Sequence, residues 1–307
     1  MYKLKSRVQK MLFSVLMSSI IIIGGIVSVP NAAASPIKIM PVGDSCTAGM
    51  GDPNMGSYRT DLYNYYKNAG LSIDFVGSQK GGPSTLPDRD NEGHSGWMIP
   101  QIASNINAWL NTYNPDVVLL WIGGNDAILG NNINTTGLSN LIDQILNLKP
   151  QIRIFVSDYY PVPDKIKEYN VTIPGVVKQK ADAGKKVYFV KLSDMPLNKS
   201  TDISSDGLHL NPTGYSKIAK IWYDSTISVL RSMSEPEILY GDLNGDKNIN
   251  STDLALMKRY IIGSITEFPV PSKAADLDGN GSINSIDYSL LNRYLLQLIT
   301  DFPVNAK

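Results

Sequence analysis

Residues 242–253 read DLNGDKNINSTD and residues 276–287 read DLDGNGSINSID, an offset of 276 − 242 = 34 residues. The likeness runs on past each loop, where Met257-Lys258-Arg259-Tyr260 recurs as Leu291-Asn292-Arg293-Tyr294. A tandem repeat constrains a chain strongly, because two copies of one unit must share one architecture and stack to bury a common core. Acidic or amide side chains stand at positions 1, 3, 5, 9 and 12 of both loops: Asp242, Asn244, Asp246, Asn250 and Asp253, then Asp276, Asp278, Asn280, Asn284 and Asp287. Position 7 adds a backbone carbonyl, from Asn248 and Ser282. That spacing aims oxygen donors at one hard cation, which predicts two calcium ions, one per loop. A domain this small buries little core, so metal could supply its stability, and a purely structural calcium domain or a calcium sensor is the plainer reading of the loops.

Length and charge bound the rest. The chain has 307 residues, enough for one large and one small domain, and 28 basic residues balance 28 acidic ones. A neutral chain carries neither the footprint of a nucleic-acid binder nor that of a basic membrane-surface protein. The single cysteine, Cys46, excludes an intrachain disulfide framework. Lys3, Lys5, Arg7 and Lys10 precede an apolar run over 11–29, and Ala32-Ala33-Ala34 follows it. This is the pattern of a secretory signal peptide over 1–34, cleaved before Ser35; a retained membrane anchor is the other reading of the run. Cleavage leaves an exported, extracellular protein off the membrane, where calcium is plentiful.

Over 35–233, short β-branched runs alternate with amphipathic stretches. Ile37–Val42, Ile73–Val76, Val117–Ile122, Ile152–Ser157 and Val187–Val190 read as buried strands. Helices are expected over 57–69, 100–112, 137–148 and 174–184, with a last one from Asn211-Pro212 to Met233. The alternation predicts an α/β fold with a parallel sheet covered on both faces, whose sites gather at the carboxyl ends of the strands. Four segments fall there: Gly43-Asp44-Ser45-Cys46, Glu92-Gly93-His94-Ser95-Gly96-Trp97, Gly123-Gly124-Asn125-Asp126 and Asp206-Gly207-Leu208-His209.

Taken in order, Gly43-Asp44-Ser45, Gly96, Gly124-Asn125-Asp126 and Asp206-x-x-His209 resemble the four blocks of the GDSL/SGNH hydrolases. The resemblance spans the large domain and implies a flavodoxin-like three-layer α/β/α fold with serine esterase chemistry. The stretch EGHSGW over 92–97 is further similar to acetyl xylan esterases of that superfamily. Such chemistry needs an activated hydroxyl, here Ser45, and a base. Only two histidines exist, His94 and His209, and His209 lies three residues after Asp206, whose carboxylate can hold one ring nitrogen while the other faces Ser45. The resemblance implies an oxyanion hole from the Ser45 and Gly96 N–H groups and the Asn125 side-chain amide, with no cofactor needed for catalysis.

Each block has a plainer reading. Ser45 and Gly123–Asp126 make good turns, and Asp206 could cap a loop without reacting. Asp44 and Asp126 suit loop bracing. Cys46 is either a small buried apolar residue or a reactive thiol. His94 is structural or contacts substrate, and Trp97 fills core or lines a cleft. The functional expectation is removal of acetyl groups from a plant cell-wall polysaccharide such as acetylated xylan. The alternatives are hydrolysis of another acyl ester, lipid or thioester, and a non-catalytic carbohydrate-binding role.

Each calcium loop departs from the EF-hand pattern in ending on Asp rather than Glu, and loop one has Lys247 at position 6, where glycine usually makes the turn. Only the following helices are evident, Thr252–Ile262 and Ile286–Leu298, while Glu235-Pro236-Glu237 argues against a long entering helix. Loop plus one helix, doubled over 240–303, resembles a type I dockerin. That resemblance implies calcium-dependent docking onto a cohesin of a cellulosome scaffold through Ser251, Thr252, Ser285 and Ile286, flanked by Lys258-Arg259 and Asn292-Arg293, with either helix able to lead. A short linker, 234–239, joins the two domains; it is too short to decouple them.

Overall fold

The computed structural model describes residues 35–160, 164–234 and 238–306. The expected leader over 1–34 and the centre of the linker lie outside the described residues. Two compact units result, one ending before Ile238 and one from Ile238 onward.

In the large unit, β1 (Ile37–Gly43) leads through the single-turn helix α1 (Ser45–Ala48) and α2 (Arg59–Asn68) to β2 (Ile73–Phe75). Next come β3 (Gln79–Lys80), β4 (Asp90–Gly93), α3 (Ile99–Tyr113), β5 (Val117–Trp121), α4 (Gly124–Ile128) and α5 (Thr135–Leu148). β6 (Arg153–Ser157), α6 (Asp164–Asn170), α7 (Ile173–Asp182), β7 (Val187–Val190), α8 (Lys199–Asp202) and α9 (Pro212–Ser234) complete it. The sheet order is β3-β4-β1-β5-β6-β7, and β2 also pairs with β1. Pairing is parallel except between β3 and β4, which are antiparallel. The wholly parallel sheet expected from the apolar runs thus gains an antiparallel edge.

The strands form because their residues are buried: every residue of β5, VVLLW, is inaccessible to water, as a sheet covered on both faces requires. α2 packs on α9, and α3, α5 and α7 pack in a row, which gives three layers. α3 and α5 are amphipathic, burying Ile99, Ile102, Ile106 and Leu110 on the one and Leu138, Leu141, Ile142, Ile145 and Leu146 on the other. The register then decides where chemistry can occur. Gly43 at the end of β1 pairs with Gly93 on one side and Trp121 on the other. Three strands therefore stop at one level, and the loops that follow them converge.

In the small unit, α10 (Ser251–Ile261) and α11 (Ser285–Leu295) follow the two loops. The core is built from residues 34 positions apart: Leu243 with Leu277, Met257 with Leu291, and Phe268 with Phe302. Tyr260 packs on Phe268 and Tyr294 on Phe302, each pair with ring centroids 4.7 Å apart. The repeat thus extends through ITEFPV and ITDFPV, and the 3-10 turn Pro303–Ala306 carries the unit past residue 303.

Lys247 takes the left-handed conformation, φ 66°, at the position where loop two has Gly281 at φ 86°. A side chain there costs about 1–2 kcal/mol, partly offset by the extra freedom glycine gives the unfolded chain, about 0.4–1 kcal/mol. Lys247→Gly should therefore raise the thermal unfolding midpoint of the small unit by a few degrees, and a lowered midpoint would contradict this account.

Candidate active site

Ser45 opens α1 directly after β1, and Asp44 caps that helix by accepting the Cys46 N–H at 2.9 Å. The segment holding Asp206 and His209 is a tight hairpin. Ile203 bridges Leu210, Ser204 N–H donates to the His209 carbonyl at 2.8 Å, and Gly207 turns the chain at φ 74°. Asn211 then caps α9 by accepting the Gly214 N–H at 3.1 Å. Residues 164 positions apart meet here: His209 Nε2 lies 2.8 Å from Ser45 Oγ, and His209 Nδ1 lies 2.7 Å from Asp206 Oδ2.

The Asp206 carboxylate is further held by its own loop, with Oδ1 accepting from Leu208 N–H, His209 N–H and the Ser204 hydroxyl at 2.9, 2.9 and 2.7 Å. Burial alone would push this carboxyl up, but those bonds and the His209 ring together hold it well below the usual carboxylate range. It is therefore ionised at neutral pH.

Gly96 sits in the turn after β4 at φ 80°, with open space where a Cβ would stand. Asn125, on α4, donates from Nδ2 to the Trp97 carbonyl at 2.9 Å, which ties the third block to the second. Asp126 fastens the same pair: its carboxylate accepts from Ile99 N–H and from Asn134 Nδ2, both at 2.9 Å. Gly123 is glycine because a Cβ would lie 2.2 Å from the Tyr169 hydroxyl, at a backbone φ of 106°.

Two supports escaped the sequence reading. Tyr159 and Tyr160, just past β6, belong to the site. Tyr159 donates its hydroxyl to Asp44 Oδ2 at 2.6 Å and accepts the Gly124 N–H at 3.0 Å. Burial pushes the Asp44 carboxyl up, against the pull of Tyr159, Cys46 N–H and His209. Tyr160 donates to the Leu208 carbonyl at 2.8 Å and so steadies the hairpin beside His209. The second support is Arg59, fully buried on α2 and, among the described residues, in no salt bridge. Its guanidinium instead donates to the carbonyls of Thr47, Ala48, Met55, Gly81 and Arg89, at 2.8 to 3.4 Å. Burial pulls it down to about 10, so it remains charged at neutral pH and staples the loop behind Ser45.

The remaining candidates also find places. Cys46 is buried 3.8 Å from the Tyr160 hydroxyl, and burial pushes its thiol well up, leaving it protonated and unreactive. His94 meets Glu92 through Nε2 at 2.9 Å and stacks on Trp97 and Trp109 at 4.0 and 5.0 Å. A small cavity of about 30 Å³ opens at Ser45, lined among others by Asn125, Ile128, Tyr160, Ile166, Leu208 and His209.

In the small unit, the carboxylates of Asp276, Asp278 and Asp287 offer oxygens within 4.8 Å of one another. Three carboxylates this close suit a hard cation. Asp242 and Asp276 shape their loops by accepting the N–H of Lys247 and of Gly281, each at 2.9 Å. Asn244 and Asp246 turn the first loop by accepting the N–H of Asp246 and Asn248, and Asn280 turns the second by accepting that of Ser282. Asp253 and Asp287 are buried, each receiving the Leu243 or Leu277 N–H at 2.8 Å. Asn250 and Asn284, expected as position-9 donors, use their side-chain oxygens to cap α10 and α11, because Thr252 and Ile286 N–H need acceptors. Ser251, Thr252, Ser285, Ile286, Lys258 and Arg259 are all exposed.

Comparison with known proteins divides the chain at the same place. The family model for GDSL-like lipases/acylhydrolases matches residues 42–217, and that for the dockerin type I domain matches residues 240–296. The structure is similar to that of a Clostridium thermocellum family 3 carbohydrate esterase, at 68% identity, over 65% of this chain and 100% of that one, with a TM-score of 0.65. The sequence is 57% identical over 179 residues to a protein of Acetivibrio thermocellus named "Putative endoglucanase X", covering 53% of this chain and 80% of that one. It is 30% identical over 295 residues to a multidomain esterase of Ruminococcus flavefaciens, covering 80% of this chain but 37% of that protein.

Tyr159→Phe removes the donor to buried Asp44 and the acceptor for Gly124 N–H, and orphaned buried groups cost about 1–3 kcal/mol each. The variant should unfold at lower denaturant with an unchanged slope, and unaltered stability would contradict the bracing role.

Proposed function

Because the chain belongs to the GDSL-like lipase/acylhydrolase family, and within it to the family 3 carbohydrate esterases, and ends in a type I dockerin domain, we propose that it is a secreted serine esterase that removes acetyl groups from cell-wall polysaccharide, with acetylated xylan as substrate. The observation that carries this reading is the hydrogen-bonded chain Ser45–His209–Asp206, at 2.8 and 2.7 Å.

In the proposed reaction His209 Nε2 takes the Ser45 proton as Oγ attacks the acetyl carbonyl, and Asp206 on Nδ1 fixes the tautomer and balances the imidazolium. The Ser45 and Gly96 N–H groups and the second Asn125 amide hydrogen receive the oxyanion, the first amide hydrogen being spent on Trp97. The imidazolium then protonates the departing sugar oxygen, and water, activated by the same base, releases acetate from Ser45. The Ser45 cavity, about 30 Å³, accommodates a short acyl group such as acetyl. A glycosidase reading would need two carboxyls free to flank the scissile bond. Here Asp44 is tied to Tyr159 and Cys46, and Asp206 to its loop and His209.

The small unit is proposed to bind two calcium ions through Asp242, Asn244, Asp246, the Asn248 carbonyl and Asp253, and through Asp276, Asp278, Asn280, the Ser282 carbonyl and Asp287. Asn250 and Asn284 complete the two sets at position 9, since an amide oxygen has two lone pairs and can cap its helix while facing the ion. Bound calcium would neutralise the clustered carboxylates and fix the loops, while exposed Ser251, Thr252, Ser285, Ile286, Lys258 and Arg259 face a cohesin of a cellulosome scaffold. Secretion through the leader over 1–34 belongs to the same proposal; no helix among the described residues is long and apolar enough to cross a membrane.

Ser45→Ala should lower acetate release from acetylated xylan by about 10⁴-fold or more, as expected when a nucleophile acting with its base is lost; retained activity would refute the assignment. On acidification kcat/KM should fall, because a protonated imidazole accepts no proton. Asp206, with its folded carboxyl depressed, contributes stability that is complete above the ordinary carboxylate range and lost only below it, so it cannot cause a fall near neutrality. Chelation with EDTA should abolish cohesin binding and leave esterase activity in place; binding indifferent to chelation would refute the calcium-dependent docking.

A further inference from the structure

An ester has two sides, and the small cavity at Ser45 suits the acyl one. A second, larger depression of about 300 Å³ is lined among others by Ala48, Met55, Gln79, Lys80, His94 and Trp97. Ala48 is the last residue of the turn that Ser45 begins, and Trp97 is the neighbour of Gly96. The volume is at the lower end of the range for ligand sites, and the lining mixes an aromatic ring with a few polar groups, as such sites do.

The walls are built, not merely left over. On one side the Glu92 carboxylate, 0% exposed, accepts from Ser78 N–H at 2.6 Å and the Ser78 hydroxyl at 2.9 Å while holding His94 Nε2 at 2.9 Å. The His94 ring is also packed on Trp97 at 4.0 Å, nearly parallel. A buried carboxylate so placed orients an imidazole that the Ser45 chemistry does not use. On the other side Met55 and Ser57 both adopt left-handed backbone, φ 55° and 53°, although neither is glycine. Arg59 holds the Met55 carbonyl at 2.8 Å, and Asp52 accepts the Gly56 and Ser57 N–H groups at 2.9 and 3.2 Å. Met55 itself is 36% exposed, so no gain of buried surface explains its strain. Strain that the surroundings over-determine is a mark of functional loops.

We propose that this groove is a carbohydrate subsite that receives the sugar ring on the alcohol side of the scissile ester, with Trp97 and Met55 packing on the C–H face of the ring and His94, Gln79 and Lys80 addressing its hydroxyls. The proposal rests on the deacetylase reading given above. It makes the enzyme a reader of the polymer as well as of the acetyl group.

The test compares acetylated xylo-oligosaccharide with methyl acetate, whose alcohol side is a single methyl group and too small to fill the groove. Met55→Ala should raise KM for the oligosaccharide by about tenfold, about 1.4 kcal/mol of lost binding, and leave kcat/KM for methyl acetate within about twofold. Gln79→Ala and Lys80→Ala, on exposed side chains, should shift the same ratio in the same direction, which keeps the test open should Met55→Ala disturb its strained loop. Equal losses on both substrates would mean a structural role and overturn the subsite, as would unchanged KM values in all three variants. A wild-type enzyme active on methyl acetate but on no acetylated carbohydrate would overturn the deacetylase reading itself. Full wild-type activity on the oligosaccharide with unshifted variants would overturn the groove alone.

Discussion

The buried carboxylate of Asp44 joins the ends of three strands. It caps the turn that carries Ser45 at the end of β1, accepts the Tyr159 hydroxyl from beyond β6, and through that hydroxyl reaches the Gly124 N–H beyond β5. Its desolvation is costly, and only this set of donors makes it tolerable. The level at which Gly43, Gly93 and Trp121 are paired brings these loops together, and Asp44 then fixes their mutual geometry. Asp126 and Asn125 extend the network to Ile99 and Trp97, and Arg59 closes it from behind. The candidate site is therefore one polar network rather than several independent loops.

Much of this was legible in the chain because burial dictates pattern. β1, β5, β6 and β7 announce themselves as apolar runs, since a covered sheet favours them. β4 does not: Asp90-Asn91-Glu92-Gly93 has no apolar residue, yet Asn91 and Glu92 are buried, because their side chains brace Gly93, Ser78 and His94. Periodicity is blind to a strand whose buried atoms are satisfied by hydrogen bonds. Arg59 was hidden for the same reason, since a cation on an amphipathic helix reads as a solvated face until carbonyls are seen around it. Tyr159 and Tyr160 did carry a signal, their place at the carboxyl end of a predicted strand, and the weight given to glycine-containing blocks obscured it.

In the small unit the sequence was explicit about the repeat and silent on how its donors divide their work. Asn250 and Asn284 have the chemistry of ligands and also cap the helices that follow, two duties that one amide oxygen can hold at once. Spacing alone does not show the second duty. The two loops also differ in strain, for Lys247 holds by force the conformation that Gly281 adopts freely.

Phe302, near the end of the small unit, packs so closely on Gly241, near its start, that a Cβ at that glycine would lie 2.9 Å from the ring. The chain thus leaves this unit beside the point where it enters. A fold whose ends meet is a cassette: it can be joined to a host sequence, exchanged or carried between genes without asking the host to span it. The aromatic that closes the core thereby also sets the terms on which the unit travels.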